Sequence, residues 1–176
     1  MPHSAFLLAV VAITASAAAQ SPTRTLDIYF TPTRQVVAEA MLDLAGTGPN
    51  DVVFDLGSGD GRLVILAAQR HGAQGVGFEL QSPLVELSRQ SAIDAGVAHR
   101  VRFVEADLRS ADLAPATVVL LYLSTSLTRE LTPKLLRELR PGARIVSHQF
   151  LLADRPADRS VTVEGENLYL WTVPPR

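Results

Sequence analysis

The sequence predicts an α/β domain built on a mostly parallel sheet. Short, nearly continuous apolar runs alternate with stretches of helical periodicity, and the changeovers carry glycine, proline or capping hydroxyls. The length of 176 residues suits one domain with a substantial core and leaves no room for two. Strands alternating with helices imply right-handed crossovers and helices on both faces of the sheet.

Each element follows from its residues. Thr31-Pro32 reads as a helix start, with Thr as N-cap and Pro at the first helical position; Val36, Val37, Ala40, Met41 and Leu44 follow at helical spacing and Gly46 ends it. Asp51 to Leu56 is an apolar run of the kind buried in parallel sheets. A glycine turn at 57–61 leads to a helix over Leu63 to Arg70, stopped by Gly72. Gly75 to Leu80 reads as a strand, and Ser82-Pro83 opens a helix that runs to Ala95. Val101 to Ala106 and Thr117 to Leu123 read as strands three and four. The helical stretch that reaches Arg140 contains Pro133, which predicts a break there with Thr132 capping the second piece. Arg144 to Phe150 is strand five, and Val161–Val163 with Leu168–Val173 around Gly165 reads as a hairpin.

Composition narrows the function. Sixteen basic residues against eighteen acidic give a net charge of −2, which argues against binding nucleic acid or anionic membranes by bulk charge. The absence of cysteine excludes disulfides, a thiolate zinc site and a cysteine nucleophile. His3, His71, His99 and His148 form no ligand spacing, and the acids cluster nowhere, so no metal is expected. Residues 1–19 carry no Lys, Arg, Asp or Glu; Ala5 to Ile13 is apolar, and Ala15 to Ala19 is a small-residue stretch. That is the pattern of a secretory signal peptide, or of an N-terminal anchor if uncleaved. Residues 20–176 are then the single domain, exported to the envelope, or cytoplasmic if the start is misassigned.

Sheets of this kind bind ligands at the carboxyl ends of their strands. The first exit reads Asp55-Leu-Gly57-Ser58-Gly59-Asp-Gly61-Arg62. A dinucleotide presents a pyrophosphate to such a turn and prefers backbone N–H groups there. The carboxylate of Asp55 suits a cation instead, and the third glycine comes one residue early for the dinucleotide pattern. S-adenosylmethionine offers an ammonium to Asp55 and a carboxylate to the turn's N–H groups. Glu79, at the exit of strand two, can accept from both ribose hydroxyls; Asp107, at the exit of strand three, can accept from an adenine amino group.

The series Asp55 to Gly61, Glu79, Asp107-Leu108 resembles the motifs of class I, seven-strand S-adenosylmethionine-dependent methyltransferases. Asp55 to Arg62, Gly75 to Leu80 and Lys134 to Ser147 are similar, more narrowly, to the mitochondrial lysine methyltransferases of ATP synthase c subunit and adenine nucleotide translocase and to their bacterial relatives. The resemblance covers Tyr29 to Val173. It implies a three-layer Rossmann-like fold with sheet order 3-2-1-4-5-7-6 and an antiparallel C-terminal hairpin. It also implies a cofactor site of Asp55, Gly57, Ser58, Gly59, Gly61, Glu79, Asp107 and Leu108, with Tyr29 and Thr31–Thr33 folding over it.

The methyl acceptor, a protein lysine or a small molecule, belongs past strand four. Many amine methyltransferases carry Asn/Asp-Pro-Pro-Tyr/Phe there; this chain has Tyr122-Leu-Ser124 instead, whose hydroxyls stand as candidate catalytic acceptors. That departure keeps open an exported, non-catalytic domain that binds an adenosyl ligand. An NAD-dependent oxidoreductase is disfavoured by the glycine spacing and by the lack of a Tyr-x-x-x-Lys pair, since Glu130 stands at that spacing before Lys134. His148, at the end of strand five, is the remaining polar residue at a strand exit.

Overall fold

The computed structural model describes residues 31–153 and 155–176. Tyr29 and the whole N-terminal segment expected to direct export lie outside the described residues. The elements run β1 (Val52–Leu56), β2 (Gln74–Glu79), β3 (Val101–Glu105), β4 (Val118–Leu121), β5 (Arg144–His148), β6 (Arg159–Val163) and β7 (Glu166–Thr172). Between them lie α1 (Gln35–Ala45), before β1; α2 (Arg62–His71), before β2; α3 (Ser82–Asp94), before β3; and α4 (Thr125–Glu138), before β5. A single 3-10 turn, Leu108–Ser110, follows β3. The strands form one sheet in the order β3-β2-β1-β4-β5-β7-β6, with β7 antiparallel to both of its neighbours. This is the order expected from the sequence.

The period-two alternation of the central strands sorts the core into two layers. Val53, Val118, Leu120 and Val146 pack with α1, α2 and α3. Phe54, Leu56, Val119, Leu121 and Ile145 point the other way, onto Leu131, Leu135 and Leu139 of the α4 segment and onto Trp171. Both faces of β1 and β4 are therefore dry, which is why these strands read as unbroken apolar runs.

Two helix boundaries differ from the sequence reading. α1 begins at Gln35, not at Thr31-Pro32, and Arg34 occupies the cap position without a side-chain capping bond. The reason is competition. Arg62 Nη1 donates to the Thr33 carbonyl at 2.9 Å, and Arg34 pairs with Glu164 and Glu166 of the terminal hairpin. These bonds hold 31–34 extended across the strand exits. The expected break at Pro133 is also absent, and α4 runs through it. Ser124 starts this helix by accepting from Leu127 N, and Thr132 Oγ1 donates to the Thr128 carbonyl within it. Burial of Leu131 and Leu135 on either side of the proline offsets the lost backbone bond, about 3 kcal/mol.

Candidate active site

The parallel strands end on one edge, and there the chain encloses a cavity of about 490 Å³, in the range of small-molecule sites. Asp55, Gly57, Ser58, Glu79, Asp107, Leu108, Tyr122 and Ser124 all line it, as do Thr31, Pro32 and Thr33. Gly59 and Gly61 belong to the same turn and shape it from behind. Topology alone brings these together, because β1, β2, β3 and β4 lie side by side.

The turn has the form its glycines demand. Gly57, Gly59 and Gly61 have φ of 90°, 54° and 78°, in the left-handed region that favours glycine. At Gly61 a Cβ would also lie 2.5 Å from the Phe103 ring and 2.9 Å from Ser88 Cβ, so α2 could not sit this close to β3 with any other residue. At Gly57 a Cβ would come within 3.1 Å of Leu123 at the cavity wall.

Asp55 is the electrostatic centre of the cavity. Its side chain is buried, and no hydrogen-bond donor reaches it among the described residues. Burial, then the nearby charges of Glu79 and Asp60, push its carboxyl pKa up to about 8. A buried carboxyl facing two other acids is a receptor for a cation. It fits an α-ammonium group and would repel a pyrophosphate.

Glu79 accepts from Gly59 N at 3.0 Å, Leu80 N at 2.8 Å and Gln81 N at 2.9 Å. It is thereby locked at the end of β2 with acceptor capacity left for a ligand hydroxyl. Asp107 caps the 3-10 turn by accepting from Arg109 N at 2.9 Å, and the Arg109 guanidinium lies 3.3 Å from its carboxylate. Ser58 Oγ is buried with no partner, packed so closely on β2 that a Cβ on Gly77 would lie 2.6 Å from it.

Most of the glycine turn's N–H groups are committed within the protein, since Gly57 N and Ser58 N both donate to the Phe78 carbonyl at 2.9 Å. Gly59 N is spent on Glu79 and Gly61 N on the Ser58 carbonyl. The ladder between β1 and β2 continues past the strands and consumes these donors. What remains for an anionic group is Asp60 N of the turn, the Thr31 and Thr33 hydroxyls on the lining segment, and Arg62. Asp60 grips the Arg62 guanidinium at 2.5–3.1 Å at the cavity edge. Arg62 closes the glycine motif in the sequence, and only its reach to Thr33 was unreadable there.

The far end of the cavity is aromatic and hydroxylic. Tyr122, Ser124, Leu127 and Phe150 line it. Ser124 does double duty, since its Oγ is the α4 cap and lies 3.0 Å from Ser126 Oγ. The reading of the sequence missed Phe150, whose position two residues past the end of β5 was the available signal. His148 does not line the cavity. It lies behind Tyr122, with ring centroids 4.0 Å apart, and its Nε2 bonds Glu166. Burial lowers the His148 pKa below its ordinary value, against the opposing pull of Glu166.

Residues 55–159 match the family model described as the ANTKMT methyltransferase domain. The chain belongs to this methyltransferase family. A protein-lysine N-methyltransferase of Saccharolobus islandicus is 34% identical over 151 residues, covering 83% of this chain and 94% of that protein. The adenine nucleotide translocase lysine N-methyltransferase of Mus musculus is 40% identical over 133 residues, covering 76% of this chain and 56% of its own length. The methyltransferase thus spans nearly all of the archaeal relative and about half of the animal one. Among solved structures, that of an RNA methyltransferase from Salinibacter ruber, in complex with S-adenosyl-L-homocysteine, superposes with a TM-score of 0.82. It is 47% identical, with 83% of this chain and 95% of that chain covered. The methyltransferase uses S-adenosylmethionine, and the buried carboxyl of Asp55 at the cavity fits that ligand's ammonium.

Proposed function

We propose that this methyltransferase transfers a methyl group to the ε-amino nitrogen of a protein lysine, in the cavity at the strand exits. The observation that carries the reading is the match over 94% of a small protein-lysine N-methyltransferase, so the two chains share nearly their whole extent. Bound S-adenosylmethionine supplies an electrophilic methyl on a sulfonium. Asp55 holds the ammonium, Glu79 accepts from the ribose hydroxyls, and Asp107 accepts from the adenine amino group beside Leu108. Ser58 and the glycine turn, with Gly57, Gly59 and Gly61, form the floor.

In-line displacement makes positioning and exclusion of water the enzyme's main tasks. Thr31–Thr33 closes one side of the cavity, and Tyr122, Phe150 and Ser124 wall the other, where the acceptor nitrogen enters. The amine must arrive without its proton, lost to water or to a weak base. The hydroxyls of Tyr122 and Ser124 are the acceptors that orient the neutral amine, in place of the Asn/Asp-Pro-Pro-Tyr/Phe segment the chain lacks.

The likeness to the Salinibacter RNA methyltransferase favours a second acceptor, RNA. Charge weighs against it here. The chain is net acidic, and both arginines lining the main cavity, Arg62 and Arg109, are paired with carboxylates. Tritiated S-adenosylmethionine added to cell extract with the enzyme separates the two. The lysine reading predicts label that survives ribonuclease, is lost to protease, and elutes as methylated lysine after acid hydrolysis. Label released by ribonuclease would overturn it. We infer further that residues 1–19 direct export; N-terminal sequencing of the protein from the envelope should then begin near Gln20. Full-length protein in the cytosol would refute this.

A further inference from the structure

At the end of β5 a histidine is buried directly behind the cavity wall. His148 is 2% exposed, and its Nε2 bonds the Glu166 carboxylate from β7. That bond puts the proton of a neutral imidazole on Nε2 and leaves Nδ1 as a bare acceptor, with no partner among the described residues. Glu166 is itself held by Arg34 Nε at 3.0 Å and Gln149 Nε2 at 3.4 Å. Arg34 directly follows the Thr31–Thr33 segment that lines the cavity.

The backbone beside His148 is also out of the ordinary. Gln149 has φ of 68°, and Phe150 N donates to the His148 carbonyl at 2.9 Å, closing a three-residue turn. A non-glycine residue in this conformation persists only where its surroundings enforce it. Here the turn keeps His148 inward while Phe150 reaches the cavity. A leucine in place of His148 would fill the space without an orphaned nitrogen. What the histidine adds is a flat, hydrogen-bonded ring packed against Tyr122, with centroids 4.0 Å apart and planes tilted by 32°.

We propose that His148, oriented by Glu166, is a positioning residue that fixes the Tyr122 ring as the wall of the acceptor end of the cavity. The proposal rests on the reading that the acceptor nitrogen enters past β4. A fixed ring holds the Tyr122 hydroxyl, and with it the neutral amine it orients, in line with the methyl group. A ring free to swing does not.

Two measurements test it, and the first needs no acceptor. Aromatic NMR of the full chain should give a slowly flipping Tyr122 ring and an Nε2-protonated His148, and Glu166→Gln or His148→Ala should speed the flip. A Tyr122 ring indifferent to both substitutions overturns the proposal. The second is transfer of tritiated methyl to extract protein by His148→Ala, Tyr122→Ala and the double variant. Each single change should lower kcat by about tenfold to a hundredfold while the Kd for S-adenosylhomocysteine moves less than about threefold. The double variant should be no slower than the slower single one. Losses that multiply overturn the proposal, and Glu166→Gln replaces His148→Ala in the cycle if the latter does not fold. A wild-type enzyme that labels no protein removes the proposed function and leaves the ring measurement to decide this one.

Discussion

Replacing Asp55 with Asn should stabilise the free methyltransferase while destroying its cofactor affinity. The carboxyl has a pKa of about 8 in the folded protein, against about 3.9 in an unfolded chain. Between those values the folded state holds a proton that the unfolded state releases, so stability falls as pH rises. Each pH unit above the unfolded value costs about 1.4 kcal/mol, which comes to about 1–2 kcal/mol at pH 5 and about 4 kcal/mol at pH 7. The Asp55→Asn protein bears no such cost. The variant's advantage should therefore grow by about 2–3 kcal/mol from pH 5 to pH 7, a widening of the Tm gap by about 5–10 °C. Urea and thermal melts of both proteins at pH 5, 6 and 7 measure this. Differences in amide packing shift the gap equally at every pH, so the slope isolates the carboxyl. A gap that stays flat, or narrows toward pH 7, would refute the reasoning.

Other consequences follow from the same geometry. Since a cation binds the ionised carboxyl, affinity for S-adenosylhomocysteine should rise up to about tenfold per unit from pH 6 toward 8; a flat profile by calorimetry would separate Asp55 from the ammonium. Glu79→Gln removes a charged acceptor and should weaken that ligand by about tenfold to a hundredfold, read in the same titration. Gly61→Ala puts a Cβ into Phe103 at positive φ and should cost about 2–4 kcal/mol by urea melt, with an unchanged midpoint counting against the described packing. Pro133→Ala should gain about 1–3 kcal/mol by restoring a backbone donor within α4, and a loss would mean the proline is required there.

Much of this was legible because parallel sheets write themselves plainly. Asp51–Leu56 and Thr117–Leu123 are apolar on both faces, and their exits, with those of β2 and β3, collected Asp55, Glu79, Asp107 and Tyr122 around one cavity. Local rules failed where distant groups intervened. Thr31-Pro32 has the chemistry of a helix start, yet Arg62, twenty-nine residues from Thr33, holds the segment extended. Pro133 should break a helix, yet Leu131 and Leu135 on either side of it bury α4 against the sheet while the proline itself stays exposed. The glycine turn promised free N–H groups, and the Phe78 carbonyl took two of them. The His148–Glu166 pair was invisible because it depends on the antiparallel register of β5 on β7, which no spacing along the chain reports.

The most direct test of the cavity as the cofactor site is calorimetric titration with S-adenosylhomocysteine at pH 7.5, with NAD as the control ligand and Asp55→Asn as the control protein. The account predicts roughly micromolar binding of S-adenosylhomocysteine to the wild type, and no heat either from NAD or with the variant. Equal binding by the Asp55→Asn protein, or binding of NAD instead, would contradict it.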